Sequence, residues 1–216
     1  MLRGAHGIVV VAALAALVGC VTDPPPPPVL SIAERTCEAQ PSFGGAHTLV
    51  LDPKGETEKS EIQLNMSEAG CLKLSGGDKA VYAIVALPPI DTDYVISVES
   101  IPIGNGVFAP SLNFLDEKGH PLRAVSGDAF VFRGAVLSVL LRHHAGERFL
   151  LVLSDPDAVG QSFSRTIEAV QSGGGVMVGY AYVQTYYGSD HTLDLQFAHS
   201  GVVSVRVEPV RQPASH

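Results

Sequence analysis

Val81-Tyr82-Ala83-Ile84-Val85-Ala86-Leu87, then Pro88-Pro89-Ile90-Asp91-Thr92-Asp93, then Tyr94-Val95-Ile96-Ser97-Val98-Glu99: this stretch decides the fold. The outer segments are short runs rich in β-branched and aromatic residues, and the second alternates apolar with polar. The prolines and aspartates between them are turn chemistry. The same rhythm continues. Val107-Phe108-Ala109-Pro110-Ser111-Leu112-Asn113-Phe114-Leu115-Asp116 reads as a strand, Glu117-Lys118-Gly119-His120 as a turn, and Pro121-Leu122-Arg123-Ala124-Val125 as the return. Pro110 has no N–H for a ladder, which points to an edge position or a bulge. Further strands are expected at 130–132, 135–141, 148–153, 176–184, 191–197 and 202–208, with Gly134 and His144-Ala145-Gly146-Glu147 as breaks. A single short helix is expected from Ser154-Asp155-Pro156-Asp157, where Asp155 can cap and Pro156 suits the first turn. Gly173-Gly174-Gly175 reads as a flexible connector. Strands with turn signals every 8–12 residues or so predict an all-β fold, an antiparallel jelly-roll-like β-sandwich.

The composition sets the class. The chain has 216 residues, 46% hydrophobic and 17% charged, with Lys+Arg 14 against Asp+Glu 22 and a formal charge of −8. That length suits one domain with appendages. The acidic balance and the lack of a basic stripe argue against a nucleic-acid partner.

The N-terminal residues belong to a different logic. After Met1-Leu2-Arg3, an unbroken apolar run from Ile8 to Val18 is too short to span a bilayer and has the pattern of a secretory signal peptide. It ends in Leu17-Val18-Gly19-Cys20, which resembles the lipobox of bacterial lipoproteins. The resemblance implies cleavage before Cys20 and acylation of its thiol and new amine, palmitate-type chains holding the protein to a membrane. Val21 rather than Asp follows the lipidated Cys, which in lipoprotein sorting implies the outer membrane, with the body facing the periplasm. Pro24 to Pro28 form a stiff polyproline II spacer of roughly 15 Å, at about 3.1 Å per residue. The expected layout is therefore a signal peptide over 1–19, a lipidated Cys and proline-rich linker over 20–29, and a β-sandwich domain over 30–216. In an oxidising periplasm the remaining pair, Cys37 and Cys71, is most simply a disulfide, worth roughly 3–4 kcal/mol by loop closure.

Several strands in order carry a second resemblance. Val81-Tyr82-Ala83-Ile84 through Pro88, Tyr94 to Ser100, the Val107-Phe108-Ala109-Pro110 strand ending in Leu115-Asp116, Phe149-Leu150-Leu151-Val152-Leu153-Ser154-Asp155 and His199-Ser200-Gly201-Val202-Val203 resemble the maltose operon periplasmic protein family. The match runs over residues 77–208. It implies a non-enzymatic envelope protein, accessory to carbohydrate uptake of the maltodextrin type, whose partner is a glycan or an envelope transport protein. No cofactor is expected. The chain departs from the family in its lipobox and in 179–188, where Pro and Asp give way to Gly and Tyr. The strand order is also similar to the jelly-roll sandwich domains of secreted bacterial peptidases, which bind rather than catalyse. The alternative reading is a structural or assembly lipoprotein that binds another envelope protein.

Residues with chemistry are few. Serine hydrolysis needs a Ser on a tight elbow, a His base and an orienting carboxylate. Ser189, Asp190 and His191 are consecutive, so along a strand they point to alternate faces. His143 and His144 are adjacent and diverge likewise, so a solvated strand end beside Arg142 and Glu147 is expected and no metal site. Asp91 with Asp93, and Asp155 with Asp157, sit in turns, where Asp serves local hydrogen bonding as readily as Ca²⁺. The candidate ligand or partner surface is Tyr180, Tyr182 and Tyr186, which one continuous strand would place on one face with Val178 and Gln184. Tyrosine rows serve cores, protein interfaces or sugar rings.

Overall fold

The computed structural model describes residues 31–51, 60–90, 93–134, 136–178 and 181–210, with the backbone alone for residues 165, 167–178, 181–191 and 193. Cys20, the apolar run and the proline spacer lie outside the described residues. In chain order the strands are β1 (His47–Thr48), β2 (Ser60–Asn65), β3 (Gly70–Lys73), β4 (Lys79–Ala86), β5 (Tyr94–Ile101), β6 (Gly106–Phe108) and β7 (Pro110–Leu115). They continue as β8 (Pro121–Val125), β9 (Val131–Arg133), β10 (Val136–Arg142), β11 (Phe149–Ser154), β12 (Ser162–Val178), β13 (Ala181–Ala198) and β14 (Val202–Pro209). Two short 3₁₀ turns, Phe43–Gly45 and Gly127–Ala129, are the helical elements among the described residues. No helix among them is long and apolar enough to cross a membrane.

The all-β, jelly-roll-like sandwich expected from the sequence is what forms. The first sheet runs β1-β4-β11-β7-β8 with β3 also on β4, the second runs β2-β14-β5-β10-β9, and a third joins β12, β13 and β6. The chain winds between the first two, from β4 to β5, from β8 to β9 and from β10 to β11. Val81, Val85, Leu112, Phe114, Leu150 and Val152 of the first sheet share one core with Ile96, Val98, Leu137, Val203 and Val205 of the second. Each such side chain contributes roughly 1.5–3 kcal/mol on burial. β5 shows why alternation matters: Tyr94, Ile96, Val98 and Ser100 are buried, and the residues between them are half-buried.

β4 and β11 do not alternate, because both faces of the first sheet are covered. Leu72, Ala80, Tyr82, Ile84, Leu115, Leu151 and Leu153 form a second cluster on its outer face. Its cover is the chain before β1. Glu38 bridges Leu72, its N–H donating to Cys71 O at 2.9 Å and its carbonyl accepting from Lys73 N–H at 2.9 Å. The Cys37–Cys71 disulfide locks this junction, with Cα atoms 4.6 Å apart. From there the segment arches over the sheet, and Phe43 meets Phe149 edge-on at 4.9 Å. It returns as β1, parallel to Val85 and Ala86.

Four local expectations are corrected. No helix follows Asp155: after one turn Gly160, at φ +89°, donates its N–H to Phe197 O, and Phe197 N–H donates to Gln161 O. The chain is thereby captured as β12. The triple glycine lies inside β12, at a register shift between Ser172 and Gly175, where glycine tolerates a bulge. The strand expected at 176–184 is divided, because β12 ends at Val178, paired with Ala181 at the start of β13. Pro110 marks neither an edge nor a bulge. It is the first residue of β7, inside the first sheet, where the chain leaves β6 and changes sheets.

Candidate functional site

The register of the first sheet leaves a gap. β3 pairs with residues 79–82 of β4 and β1 with residues 85–86, both on the edge away from β11, so Ala83 and Ile84 have no strand partner there. Leu49 N–H donates to Ala86 O on that edge, and backbone groups alternate along a strand, so Ile84 presents its backbone to the same side. A cavity of about 500 Å³ opens at this gap, between the edge of the first sheet and β2, the edge of the second. Gln63, Leu64 and Asn65 form one wall, Tyr82, Ala83 and Ile84 the other, and Ser42 and His47 stand where the arch crosses.

The wall is fixed by neighbours. Gly70 pairs with Tyr82, and a Cβ on Gly70 would lie 2.6 Å from Tyr82 Cε1, so only glycine lets the ring lie across the strand. The Tyr82 hydroxyl donates to Glu38 Oε2 and accepts from Ser42 N–H at 2.9 Å. Burial first, and the Glu38 hydrogen bond next, hold this phenol above its ordinary value, so it stays a neutral donor. The side chains of His47, Gln63 and Glu68 line the cavity and make no hydrogen bond among the described residues. The cavity thus combines an imidazole, amides, two hydroxyls and one carboxylate with an apolar wall, and its lining holds no Lys or Arg.

Two polar clusters lie elsewhere. Glu147, 1% exposed, accepts from Arg123 Nε at 2.8 Å, Arg123 Nη2 at 3.1 Å and His144 N–H at 2.9 Å. His143 stacks on Tyr94 at 4.2 Å, and Arg123 lies 4.0 Å over Phe114. The expected solvated strand end holds at Arg142 and His144, which are exposed. It is corrected at Glu147, which is buried and pins the corner from β10 to β11, because a carboxylate taken from water needs such partners. Burial raises the Tyr94 phenol, which donates to Pro88 O at 3.4 Å. The second cluster is Ser154 and His199. Ser154 Oγ accepts from Val81 N–H at 2.9 Å, leaving its proton for His199 Nδ1 at 2.7 Å. Burial holds the imidazole below its ordinary value, which keeps Nδ1 an acceptor. Ser154 is 1% exposed and sits in a strand rather than on an elbow, so the pair latches β4, β11 and the entry to β14.

The residues that the sequence singles out do not converge on one site. Cys37 and Cys71 are joined as expected. Tyr180 lies outside the described residues, as does Asp91. Tyr182 and Tyr186 hold same-parity positions of β13, opposite Met177 and Ser172, and their side chains lie outside the description. Ser189, Asp190 and His191 are consecutive in β13, opposite Ala169, Glu168 and Ile167. His120 pairs with Asp116 at 3.1 Å, exposed, and the His120 backbone N–H holds that carboxyl below its ordinary value. Asp155 and Asp157 line a separate cavity of about 370 Å³ with Asp128. No group of three metal-ligating side chains occurs among the described residues. Sequence reasoning alone misses the edge cavity altogether. Its one legible signal is the alternation of Glu61, Gln63 and Asn65 with Ile62 and Leu64 in β2. No family model, no curated protein and no solved structure matches the chain.

Proposed function

We propose that the protein is a non-enzymatic outer-membrane lipoprotein of the bacterial envelope, anchored through Cys20 with its body in the periplasm, and accessory to carbohydrate uptake of the maltodextrin type. The observation that carries this reading is the edge cavity, whose unpartnered amide, imidazole and carboxylate groups suit hydroxyl-rich ligands. The Cys37–Cys71 disulfide supports export, because such bonds persist in oxidising compartments. The lipobox and the resemblance of residues 77–208 supply the anchor and the carbohydrate association. A strain lacking the protein should take up maltodextrin more slowly, and the wild-type gene should restore the rate. Unchanged uptake overturns the accessory role. Cys20→Ser should release the body from the membrane fraction or block processing, and unchanged membrane association overturns the anchor.

A second reading, a structural or assembly lipoprotein docking on another envelope protein, is favoured by the β12–β13 ribbon. β12 pairs only with β13 among the described residues, and β13 meets another strand only through residues 196–198. Unpaired strand edges invite an added strand from a partner. Crosslinks from the ribbon to one envelope protein, with uptake unchanged by its deletion, would favour this reading over the first.

A further inference from the structure

Resting on the carbohydrate reading above, we propose that the edge cavity is a subsite for one neutral sugar ring, and that it selects against anionic and phosphorylated ligands. Size permits it, since about 500 Å³ lies within the range of small-molecule sites, roughly 300–1,000 Å³. A pyranose ring has an apolar C–H face and a rim of hydroxyls, each able to donate and accept. The cavity has the same division. Leu64, Ala69, Ala83 and Ile84 supply apolar contact, and Gln63, Asn65, Glu68 and His47 supply the rim.

The donors and acceptors are balanced as hydroxyls require. An amide side chain offers both an N–H pair and a carbonyl, a carboxylate accepts only, and a neutral imidazole does one of each. Most of these groups are unspent: Asn65 Oδ1 accepts from Ser67 N–H, while His47, Gln63 and Glu68 make no side-chain hydrogen bond among the described residues. The break between β3 and β1 leaves the Ile84 N–H outside the ladder, while the parallel register gives the Ile84 carbonyl to His47 N–H. The position is rigidly held because β11 pairs with its other edge. Charge sets the selectivity. Glu68 is the one acidic lining residue and the lining holds no Lys or Arg, on a chain of net charge −8. The nearby Arg35 guanidinium spends Nη2 on Ala69 O at 2.9 Å. A phosphate would meet one carboxylate and no cationic side chain in the lining, which costs binding energy that a neutral ring does not lose.

The test uses the full lipidated protein in a detergent without a sugar headgroup, titrated calorimetrically with maltotriose, glucose and glucose 6-phosphate. Maltotriose and glucose should bind, glucose 6-phosphate at least tenfold more weakly, and Gln63→Ala with Glu68→Ala should weaken maltotriose at least tenfold. Both substitutions lie at exposed positions, and an unchanged melting temperature for the double variant verifies the fold. Binding that the double variant leaves intact overturns the cavity as the subsite, while the carbohydrate reading stands. Failure of maltotriose and glucose to bind at 10 mM or so also overturns it, and the uptake assay then judges the accessory role separately. Equal affinity for glucose 6-phosphate overturns the selectivity.

Discussion

The first two sheets share one core yet treat their outer faces in opposite ways. The second sheet turns Ser97, Glu99 and Arg206 toward solvent, the last paired with Glu99 at 3.0 Å and Glu208 at 3.1 Å. The first sheet presents Tyr82, Ile84, Leu151 and Leu153, and buries them beneath a chain segment that is not itself part of the sandwich. A face made of leucine needs a cover, and a cover of irregular chain needs fastening. The disulfide, the Glu38 bridge and the Phe43–Phe149 contact are those fastenings. The cavity lies where this cover crosses from one sheet edge to the other, so the proposed sugar subsite and the fastened cover meet at one boundary.

If the cover is held chiefly by its fastening, removing the disulfide has the largest effect. Cys37→Ala with Cys71→Ala should lower unfolding free energy by about 3–4 kcal/mol, since the bond closes a loop of 34 residues. Urea denaturation checks this, with the m-value reporting whether the cover is lost before the core. Next, Leu151→Ala on the covered face should cost about 2–4 kcal/mol. The outward Ser97→Ala of the second sheet should change stability by less than about 0.5 kcal/mol. Equal costs at the two positions would erase the distinction between the faces.

A pH series sharpens the comparison from another side. Burial holds the His199 imidazole low, so between its folded value and the ordinary value of about 6.5 the unfolded chain binds the proton first. Stability from the neutral ring is complete above that ordinary value and is lost as pH falls toward the folded one. The urea midpoint should therefore drop between pH 7.5 and 5.5, and drop less in His199→Gln. The ion pairs of the solvated face add little. Arg206→Ala should cost at most about 1 kcal/mol, and less in high salt, because its ion pairs are partly exposed and screened.

The contrast between the sheets is partly written in the sequence. Tyr94 to Glu99 alternates and so announces one wet face, and Phe149-Leu150-Leu151-Val152-Leu153 does not alternate and so announces two dry ones. What covers the second dry face is not legible, because the arch over residues 38–46 has neither period and takes its shape from tertiary contacts. β12 departs from its local signals for a related reason. Asp155-Pro156 and Gly173-Gly174-Gly175 favour a cap and a connector, and long-range pairing with β13 overrides both. The disulfide is legible from arithmetic alone. The cavity is not, since it arises from a two-residue shortfall between β3 and β1, a register fact that single residues do not encode.

Amide hydrogen exchange on the intact and the reduced protein tests the central claim, that the disulfide-fastened arch completes the first sheet while the second stands without it. Reduction should speed exchange at Glu38, Lys73 and Leu49, whose N–H groups bond across the arch, and leave Val98 and Val205 protected. Uniform acceleration in both sheets, or unchanged protection at Glu38, Lys73 and Leu49, would contradict it.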